Sequence, residues 1–589
     1  MTPKNSLPRN KLFKISVPGL FFAICLTPGL HSWTSSAANE SEQQDVLLST
    51  MQAELARALA ALSKLDPSPY FLSYSVHDQS IAVAIASQGS LVNSTRLRSR
   101  SADVVMRIGT PALDNTHAQN RPSAISTGLL PLEDDRNAIS RVLWQLTYGE
   151  YRKASQAYSN VKTSAQVQAP EEDNSPDFSK ETVENKSDYS QPASAPDQAW
   201  LEKLVRRYSA PFRSYPYIYS SMAMVAAENT QFHFVSSEGT HIVTPNAIVR
   251  LAIEAETRAD DGMDLVRVET FQGEGVDHLP SEAEVSSRVR KMALDLEALR
   301  AAPVAEPFDG PALLSGRAAA VFFHEVLGHR LEGHRQRGEQ EGQTFTKSIN
   351  HAVLPEFLSV MDDPTERTLN GTDLSGWYRF DDEGMPASRV EVISHGILKE
   401  FLMSRMPVNN FDKSNGHGRA QAGLMPTGRQ GNLIVTSSRA VKDSELHQKL
   451  IDEVKKQNKP YGLYFEDIQG GFTLTQRALP QVFQVLPVLV WRVYPDGRPD
   501  ELVRGVDIVG TPLAALNRIE LTGEKVEIFN GICGAESGTV PVSAAAPAML
   551  FSEIEVQKSA HSLNRPPILP PPDAAKDGRR PNPKVGDRP

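Results

Sequence analysis

Cysteine is almost absent from this chain, whose 589 residues include only Cys25 and Cys533. A framework of disulfide bonds is therefore excluded as the main source of stability. Basic residues are not in excess either, because 61 Lys and Arg face 71 Asp and Glu. No nucleic-acid partner bound through a general positive surface is expected.

Long apolar runs are also missing: after the N-terminal region no segment has 18 uninterrupted apolar residues, so no stable membrane insertion is expected. The single apolar run, Ile15–Leu30, follows four basic residues and precedes the small residues Ser35-Ser-Ala-Ala. This order is typical of a secretory signal peptide that is cleaved after Ala37 or Ala38. An uncleaved anchor is the alternative, but prolines interrupt the short run. We expect residues 1–37 to be removed and the protein to be exported, to the periplasm or outside the cell.

Removal of that segment changes both the charge and the cysteine count. Without its four basic residues, 57 Lys and Arg face 71 Asp and Glu, so the formal net charge falls from −10 to about −14. Cys25 matches a lipidation site poorly, although lipidation stays open. The mature chain then has one thiol, Cys533. In an oxidising compartment such a thiol is either buried and inert or bound to a metal.

The segment Val321–Gly333, VFFHEVLGHRLEG, carries the strongest chemical signal. His324 and His329 lie on either side of Glu325, which is the residue set of a hydrolytic zinc site. Their spacing is five residues, and at roughly 100° per residue an i, i+5 pair diverges by about 140° on a regular α-helix. A π-type turn at Gly328 would bring both imidazoles onto one face.

Two alternatives to this ligand set remain open. Histidines at the end of a helix often make only hydrogen bonds, and the segment alone does not distinguish the two cases. His334, ten residues after His324, is a weaker candidate for a third ligand because charged residues and a glycine typical of a helix end precede it.

Several strings, in order along the chain, resemble the zinc metallopeptidases of the TldD/PmbA family. They are HEVLGHRLEG, FDDEGMPASRVEV at Phe380–Val392, SNGHGRAQ at Ser414–Gln421, GNLIV at Gly431–Val435 and GICGAESGTVPVSAAAPAM at Gly531–Met549. The resemblance implies that His324, His329 and Cys533 bind Zn²⁺ and that Glu325 is the catalytic base. Because this chain keeps all four residues, it resembles the catalytic branch and not the partner subunit, which lacks them.

The resemblance also implies a substrate and a mode of assembly. It points to unfolded peptides bound as an added β-strand, and to subunits that pair around an enclosed cavity. We therefore expect a homodimer or a heterodimer with a family-related partner subunit.

Three further residues are candidates for substrate binding. Arg419 lies in a loop with a glycine beside it, where a guanidinium could hold a carbonyl or carboxylate group. Asp382 and Glu383 are candidates only through the resemblance, because adjacent acidic residues before a glycine are typical of a solvated turn.

The function predicted from these residues is zinc-dependent hydrolysis of peptide bonds, with a metal-activated water and Glu325 as base. One alternative is a noncatalytic peptide-binding or assembly subunit with a structural zinc. Another is a zinc hydrolase of non-peptide amides. A structural site has no need of a carboxylate next to its first ligand, which favours an enzyme.

The predicted fold is α+β in two domains. Residues 38–302 form an antiparallel sheet with flanking helices, interrupted by a flexible acidic insertion at about 164–196. Residues 303–560 contain the metal-site helix and a β-rich region that the resemblance identifies as barrel-like. Residues 561–589 form a disordered Pro-rich tail.

Overall fold

The structure is a computed structural model that describes residues 45–117, 124–165, 175–190, 196–338, 341–477 and 482–559. The predicted signal segment and Pro-rich tail lie outside the described residues. The N-terminal elements are α1 (Val46–Leu62), β1 (Pro69–Ser87), β2 (Ser90–Thr110), β3 (Leu113–Asp114), β4 (Ile125–Leu129), α2 (Arg136–Ala165), β5 (Asn185–Ser187), α3 (Gln198–Ser209), β6 (Ser220–Ser236), β7 (His241–Arg258), β8 (Asp264–Gly273) and α4 (Glu282–Ala301).

These elements build one eight-stranded sheet with the order β3-β2-β1-β6-β7-β5, to which β4 adds beside β2 and β8 beside β7. All pairs are antiparallel except β5 with β7. Strand β1 is continuous through its polar middle, where His77 to Gln79 continue the ladder to both neighbouring strands.

The helices pack on this sheet through apolar stripes. In α4 the buried residues recur every three or four positions, at Val285, Val289, Met292, Leu296 and Leu299, as an amphipathic helix requires. The helix begins after an N-cap, Ser281, whose hydroxyl accepts a hydrogen bond from the backbone of Glu284.

Residues 175–190 differ from the flexible insertion that the sequence predicted. The ring of Phe178 is buried between the guanidinium groups of Arg107 and Arg405, 4.0 and 3.9 Å from its centroid. Asp177 accepts hydrogen bonds from the backbone of Asp114 and from Arg337. Cation–π contacts and buried ion pairs therefore hold this acidic segment between the N-terminal sheet and the C-terminal region.

The C-terminal elements are β9 (Phe308–Leu314), α5 (Gly316–Val326), β10 (Leu358–Asp362), β11 (Thr368–Leu369), β12 (Thr372–Asp373), β13 (Val390–Ser394), β14 (Ile397–Leu398), β15 (Gly418–Arg419), β16 (Thr427–Gly428), β17 (Asn432–Ser437), β18 (Ala440–Val441), α6 (Asp443–Lys456), β19 (Gly462–Thr473), β20 (Phe483–Val493), β21 (Glu501–Val503), β22 (Val506–Gly510), α7 (Pro512–Leu516), β23 (Ile519–Ala535) and β24 (Gly538–Lys558). Five strands, β9, β19, β20, β22 and β24, pair in a closed ring. The predicted α+β fold, with an antiparallel N-terminal sheet and a C-terminal barrel, is confirmed.

Helix α5 packs against the strands of the barrel, and each of its residues except Arg317 is buried. The ring of Phe322 makes edge contacts with Phe483 and Phe551, at centroid distances of 5.5 and 5.4 Å. The helix begins at Ser315, whose hydroxyl accepts from the backbone of Ala318. Its position is therefore fixed by aromatic packing along its length and by a cap at its start.

A chain of ion pairs connects α4 with α5. Arg267 on β8 lies 3.4 Å from Asp295 of α4 and 2.6 Å from Asp467 of β19. The other oxygen of Asp467 accepts a hydrogen bond from Arg317 of α5 at 3.0 Å. The N-terminal sheet and the barrel thus share polar contacts, and the predicted domain boundary near residue 303 stays a prediction. Among the described helices, none has the length and apolar content needed to cross a membrane.

Candidate metal centre

The two histidines of the central motif lie on different types of helix. Helix α5 ends at Val326, and a 3₁₀ turn over Gly328–Leu331 follows, in which the backbone of Arg330 donates to Leu327. The π-type turn that the sequence predicted is therefore wrong: the chain tightens after His324 instead of widening. The imidazole rings of His324 and His329 still come together, with centroids 5.0 Å apart.

Gly328 is needed here for a different reason from the predicted one. A Cβ atom at this position would lie 1.9 Å from the side-chain oxygen of Gln430. The amide of Gln430 donates in turn to the backbone carbonyl of His324 at 3.4 Å. The glycine therefore allows Gln430 to approach the end of α5 closely.

Cys533 on β23 completes a group of three candidate metal ligands. One ligand atom each from His324, His329 and Cys533 lie within 4.8 Å of one another, and the Cys533 Sγ is 3.3 Å from the His329 Nε2. Each of these residues is 6% exposed. Two imidazoles and one thiolate, with room for a fourth ligand, are a donor set that suits Zn²⁺. The buried Nδ1 of His324 has no hydrogen-bond partner among the described residues, so no described group occupies that ring nitrogen.

The charges of the three groups depend on one another. Burial alone would raise the pKa of the Cys533 thiol, but His329 and His324 lower that pKa well below its usual value. For His329 the effect of burial has the opposite sign: burial alone would lower the pKa of the imidazole, but the Cys533 thiolate and Glu332 raise it overall. The thiolate is therefore stabilised by neighbouring positive charge, which a metal ion would supply in place of the imidazole protons.

Glu325 lies beside this group, with a carboxylate oxygen 4.0 Å from the Nε2 of His329. It is 9% exposed, and burial raises the pKa of its carboxyl group even though His324 and His329 oppose the shift. Strand β19 passes directly over it, since a Cβ on Gly471 would be 2.9 Å from the Glu325 Cγ. A buried carboxylate with a raised pKa next to a metal group is suited to proton transfer.

Two residues that were not predicted from the sequence hold the ligands in place. Glu332, fully buried, accepts a hydrogen bond from the Nδ1 of His329 at 3.1 Å, and a combination of His329 and Arg335 lowers its pKa to about 2 despite burial. Arg429, also fully buried, donates to the backbone carbonyl of Cys533 at 2.9 Å and lies 3.5 Å from Glu332. The spacing of Glu332, three residues after His329, was a usable signal, whereas Arg429 is far from every ligand in sequence.

The three predicted substrate-binding residues are engaged elsewhere. Arg419 donates to the backbone carbonyl of Gln430 at 2.6 Å and stacks over Tyr378. Asp382 accepts from the backbone of Ala420 at 2.8 Å, and Glu383 accepts from the backbone of Arg405 at 2.6 Å. Burial raises the pKa of Glu383 to about 7. These contacts fix loops near the site, so a role of Arg419, Asp382 and Glu383 in substrate binding stays a prediction.

His334 does not join the first ligand group. Its ring lies near Glu332 and Glu536, with which it forms a second group of three atoms within 4.8 Å of one another.

The site combines a His–His–Cys group with a glutamate at the end of a helix packed against a barrel, an arrangement similar to that of metallopeptidase-like proteins. Residues 309–558 match the family model described as the PmbA/TldA metallopeptidase C-terminal domain. This match covers less than half of the chain and makes its C-terminal region similar to the TldD/PmbA family.

Individual relatives agree with this assignment. A metalloprotease of Archaeoglobus fulgidus is 28% identical over 239 residues, which are 40% of this chain and 51% of that protein. A protein of Saccharolobus solfataricus named zinc metalloprotease TldD homolog is 27% identical over 249 residues, which are 42% of this chain and 51% of that protein. This chain thus spans about half the length of these curated relatives.

The fold extends the similarity over more of the chain. The crystal structure of TldE from Thermococcus kodakarensis is similar with a TM-score of 0.54, over 86% of this chain and 100% of that one. The sequence identity is 12%, so this similarity concerns the fold alone.

Proposed function

We propose that this protein is a zinc-dependent metallopeptidase that hydrolyses peptide bonds in unfolded chains. The observation that carries the proposal is the position of Glu325, a buried carboxylate 4.0 Å from a ring nitrogen of His329 in a three-residue ligand group. A purely structural metal site does not need such a group. Relatives that carry the name metalloprotease support the same reading.

Zinc is the metal that the donor set favours, because imidazole and thiolate ligands together suit it. Bound by His324, His329 and Cys533, a zinc ion would supply Lewis acidity, acidifying a water molecule and polarising the scissile carbonyl. The thiolate of Cys533 donates more charge than a third imidazole would, so we expect modest turnover.

Proton transfer and the positioning of the ligands depend on other residues of the chain. Glu325 would take the proton of the attacking water and return it to the nitrogen of the leaving amine. Glu332 keeps the Nδ1 of His329 protonated and so directs its Nε2 towards the ligand group. Arg429 holds the backbone at Cys533 and thereby the position of the thiolate.

Burial of the site supports unfolded peptides as substrates. The three ligands and Glu325 are at most 9% exposed, so the surface of a folded protein would not reach them. An extended chain with its backbone accessible is the substrate shape that fits. We also propose pairing with a second copy or with a family-related subunit, which is compatible with the TldE-like fold, and export through the N-terminal signal segment.

Hydrolysis of an unfolded, fluorescence-quenched peptide, measured together with bound zinc, tests the proposal. We compare the protein with Glu325→Gln and, as a control, Glu356→Gln at an exposed position. Activity in the protein and in Glu356→Gln but not in Glu325→Gln, with equal zinc in all three, is the expected result. Equal zinc with no hydrolysis in any of them, over varied peptides, would instead indicate the noncatalytic alternative. Cleavage of non-peptide amides alone would indicate the other one.

A further inference from the structure

A second group of possible metal ligands lies next to the first one. Glu332 and His334 flank Gly333, at the start of a second 3₁₀ turn, and Glu536 lies in the turn between β23 and β24. One ligand atom from each of the three residues lie within 4.8 Å of one another. The Nε2 of His334 contacts a carboxylate oxygen of Glu536 directly.

Two further observations support metal binding here. His334 is 8% exposed, and the Nε2 that it presents to the group has a carboxylate of Glu536 as its described partner, so the ring is held in place for a metal by an acidic side chain. The side chain of Glu536 is 42% exposed, which leaves a path from solvent to the group. One imidazole and two carboxylates are a donor set for zinc and neighbouring divalent metals of the first transition row.

We propose that Glu332, His334 and Glu536 form a second divalent-metal site that is weaker than the first and coupled to it through Glu332. The proposal goes beyond the proposed function, because it concerns metal binding and holds whether or not the protein hydrolyses peptides.

Arg335 explains why this site is the weaker one. Its guanidinium donates to Glu332 at 2.6 Å and to Glu536 at 2.9 Å, so a resident cation already satisfies both carboxylates. A metal ion must displace that guanidinium, or bind beside its charge, before it can use these oxygens. The second site therefore fills only when the free metal concentration is higher.

Glu332 couples the two sites because it serves both. One of its oxygens accepts from the Nδ1 of His329, while the other accepts from Arg335. A metal that recruits Glu332 weakens its hold on His329 and adds positive charge close to the first ligand group. We expect the first metal to bind less tightly, and any hydrolysis to decline, as the second site fills.

The test is the number of zinc ions bound at equilibrium, measured by dialysis against buffered free zinc followed by metal analysis. The protein should bind one ion at low free zinc and a second at higher free zinc. Glu536→Gln, at a half-exposed position, should bind the first ion normally and the second about tenfold or more weakly. Glu341→Gln is the matched control, since it also removes a carboxylate near Arg335, 3.6 Å away, but none of the three ligands.

Arg335→Met gives the opposite prediction. Without the competing guanidinium, the second ion should bind at a free zinc concentration about tenfold or more lower. The site is absent if the protein never binds more than one ion, if Glu536→Gln and His334→Asn both keep the second ion, or if Arg335→Met weakens it.

Cys533→Ser separates this proposal from the proposed function. Loss of the tight ion with retention of the weak one supports both sites. The opposite result is that Cys533→Ser keeps the tight ion and Glu536→Gln loses it. That result would overturn the His–His–Cys assignment, and it would also show that the second site is not the weaker one.

Discussion

Helices α4 and α5 are both well packed, yet they are buried in opposite ways. In α4 one stripe faces the sheet and the rest faces solvent, whereas α5 is enclosed by the barrel and buries even His324 and Glu325. On a helix with a solvent-exposed face, the charged groups on that face interact weakly, because water and salt screen them. A helix without one can hold charged groups where their interactions are strong, provided that each has a partner.

The largest expected difference is between removing a candidate metal ligand from α5 and removing a buried apolar side chain from α4. We expect His324→Ala to reduce bound zinc from about one equivalent to near zero and hydrolysis to background. Met292→Ala, fully buried in the α4 stripe, should keep both but lower the free energy of unfolding by about 2 to 5 kcal/mol. Metal analysis, peptide hydrolysis and denaturant unfolding measure these effects. Normal zinc in His324→Ala would contradict the ligand assignment.

Packing gives the next contrast. Phe322→Ala removes the ring that contacts Phe483 and Phe551, and should cost about 3 to 5 kcal/mol of unfolding free energy. Leu294→Ala, at a 56% exposed position of α4, should change it by no more than about 0.5 kcal/mol. Urea unfolding of both variants checks this, and equal losses would show that α5 is less enclosed than described.

The ion pairs that link the two helices predict a dependence on pH. Burial alone would raise the pKa of Asp467, but Arg317 and Arg267 lower it overall. Because the folded-state pKa is below the unfolded value of about 3.9, the contribution is complete above that value and is lost as pH falls through the folded-state pKa.

Asp467→Asn should therefore cost about 1 to 3 kcal/mol at pH 7 and less near pH 3. Unfolding midpoints in urea at both pH values measure the difference. Asp496→Asn, on an exposed turn, is the control. A cost that does not depend on pH would mean that Asp467 contributes through packing and not through its charge.

The smallest contrast is between the two N-caps. Within the described part of the chain, the hydroxyl of Ser281 makes only the cap contact, at 3.3 Å, whereas that of Ser315 also donates to the carbonyl of Glu466 at 2.9 Å. We expect Ser281→Ala to cost about 0.5 to 1 kcal/mol and Ser315→Ala about 1 to 2 kcal/mol. Thermal unfolding of both variants tests the order, which reversed values would contradict.

The difference between α4 and α5 also explains which features the sequence could predict. The apolar stripe of α4 and its N-cap follow from the local spacing of residues in the sequence. Helix α5 has no polar face, so periodicity is uninformative there and only its motif residues and their spacing gave a signal.

The sequence-based predictions are wrong where contacts between residues far apart in sequence determine the structure. The prediction of a π-type turn assumed that α5 continues through His329. In the structure, α5 ends earlier, Gln430 approaches Gly328 closely, and a 3₁₀ turn that begins at Gly328 brings the two imidazoles together. The acidic composition of residues 175–190 suggested flexibility, and nothing local indicated that Arg107 and Arg405 would enclose Phe178. Arg429 was missed for the same reason, because its partner at Cys533 is about a hundred residues away.

His329 and Cys533 are separated by 204 residues, and the cysteine lies on β23, which precedes and pairs with the last described strand, β24. During synthesis, the histidines therefore emerge long before the thiol that completes the ligand set. A half-formed set would bind a metal weakly, so we expect a metal to be acquired only at the end of folding. The compartment in which the chain finishes folding, and the metals available there, would then determine which ion occupies the group.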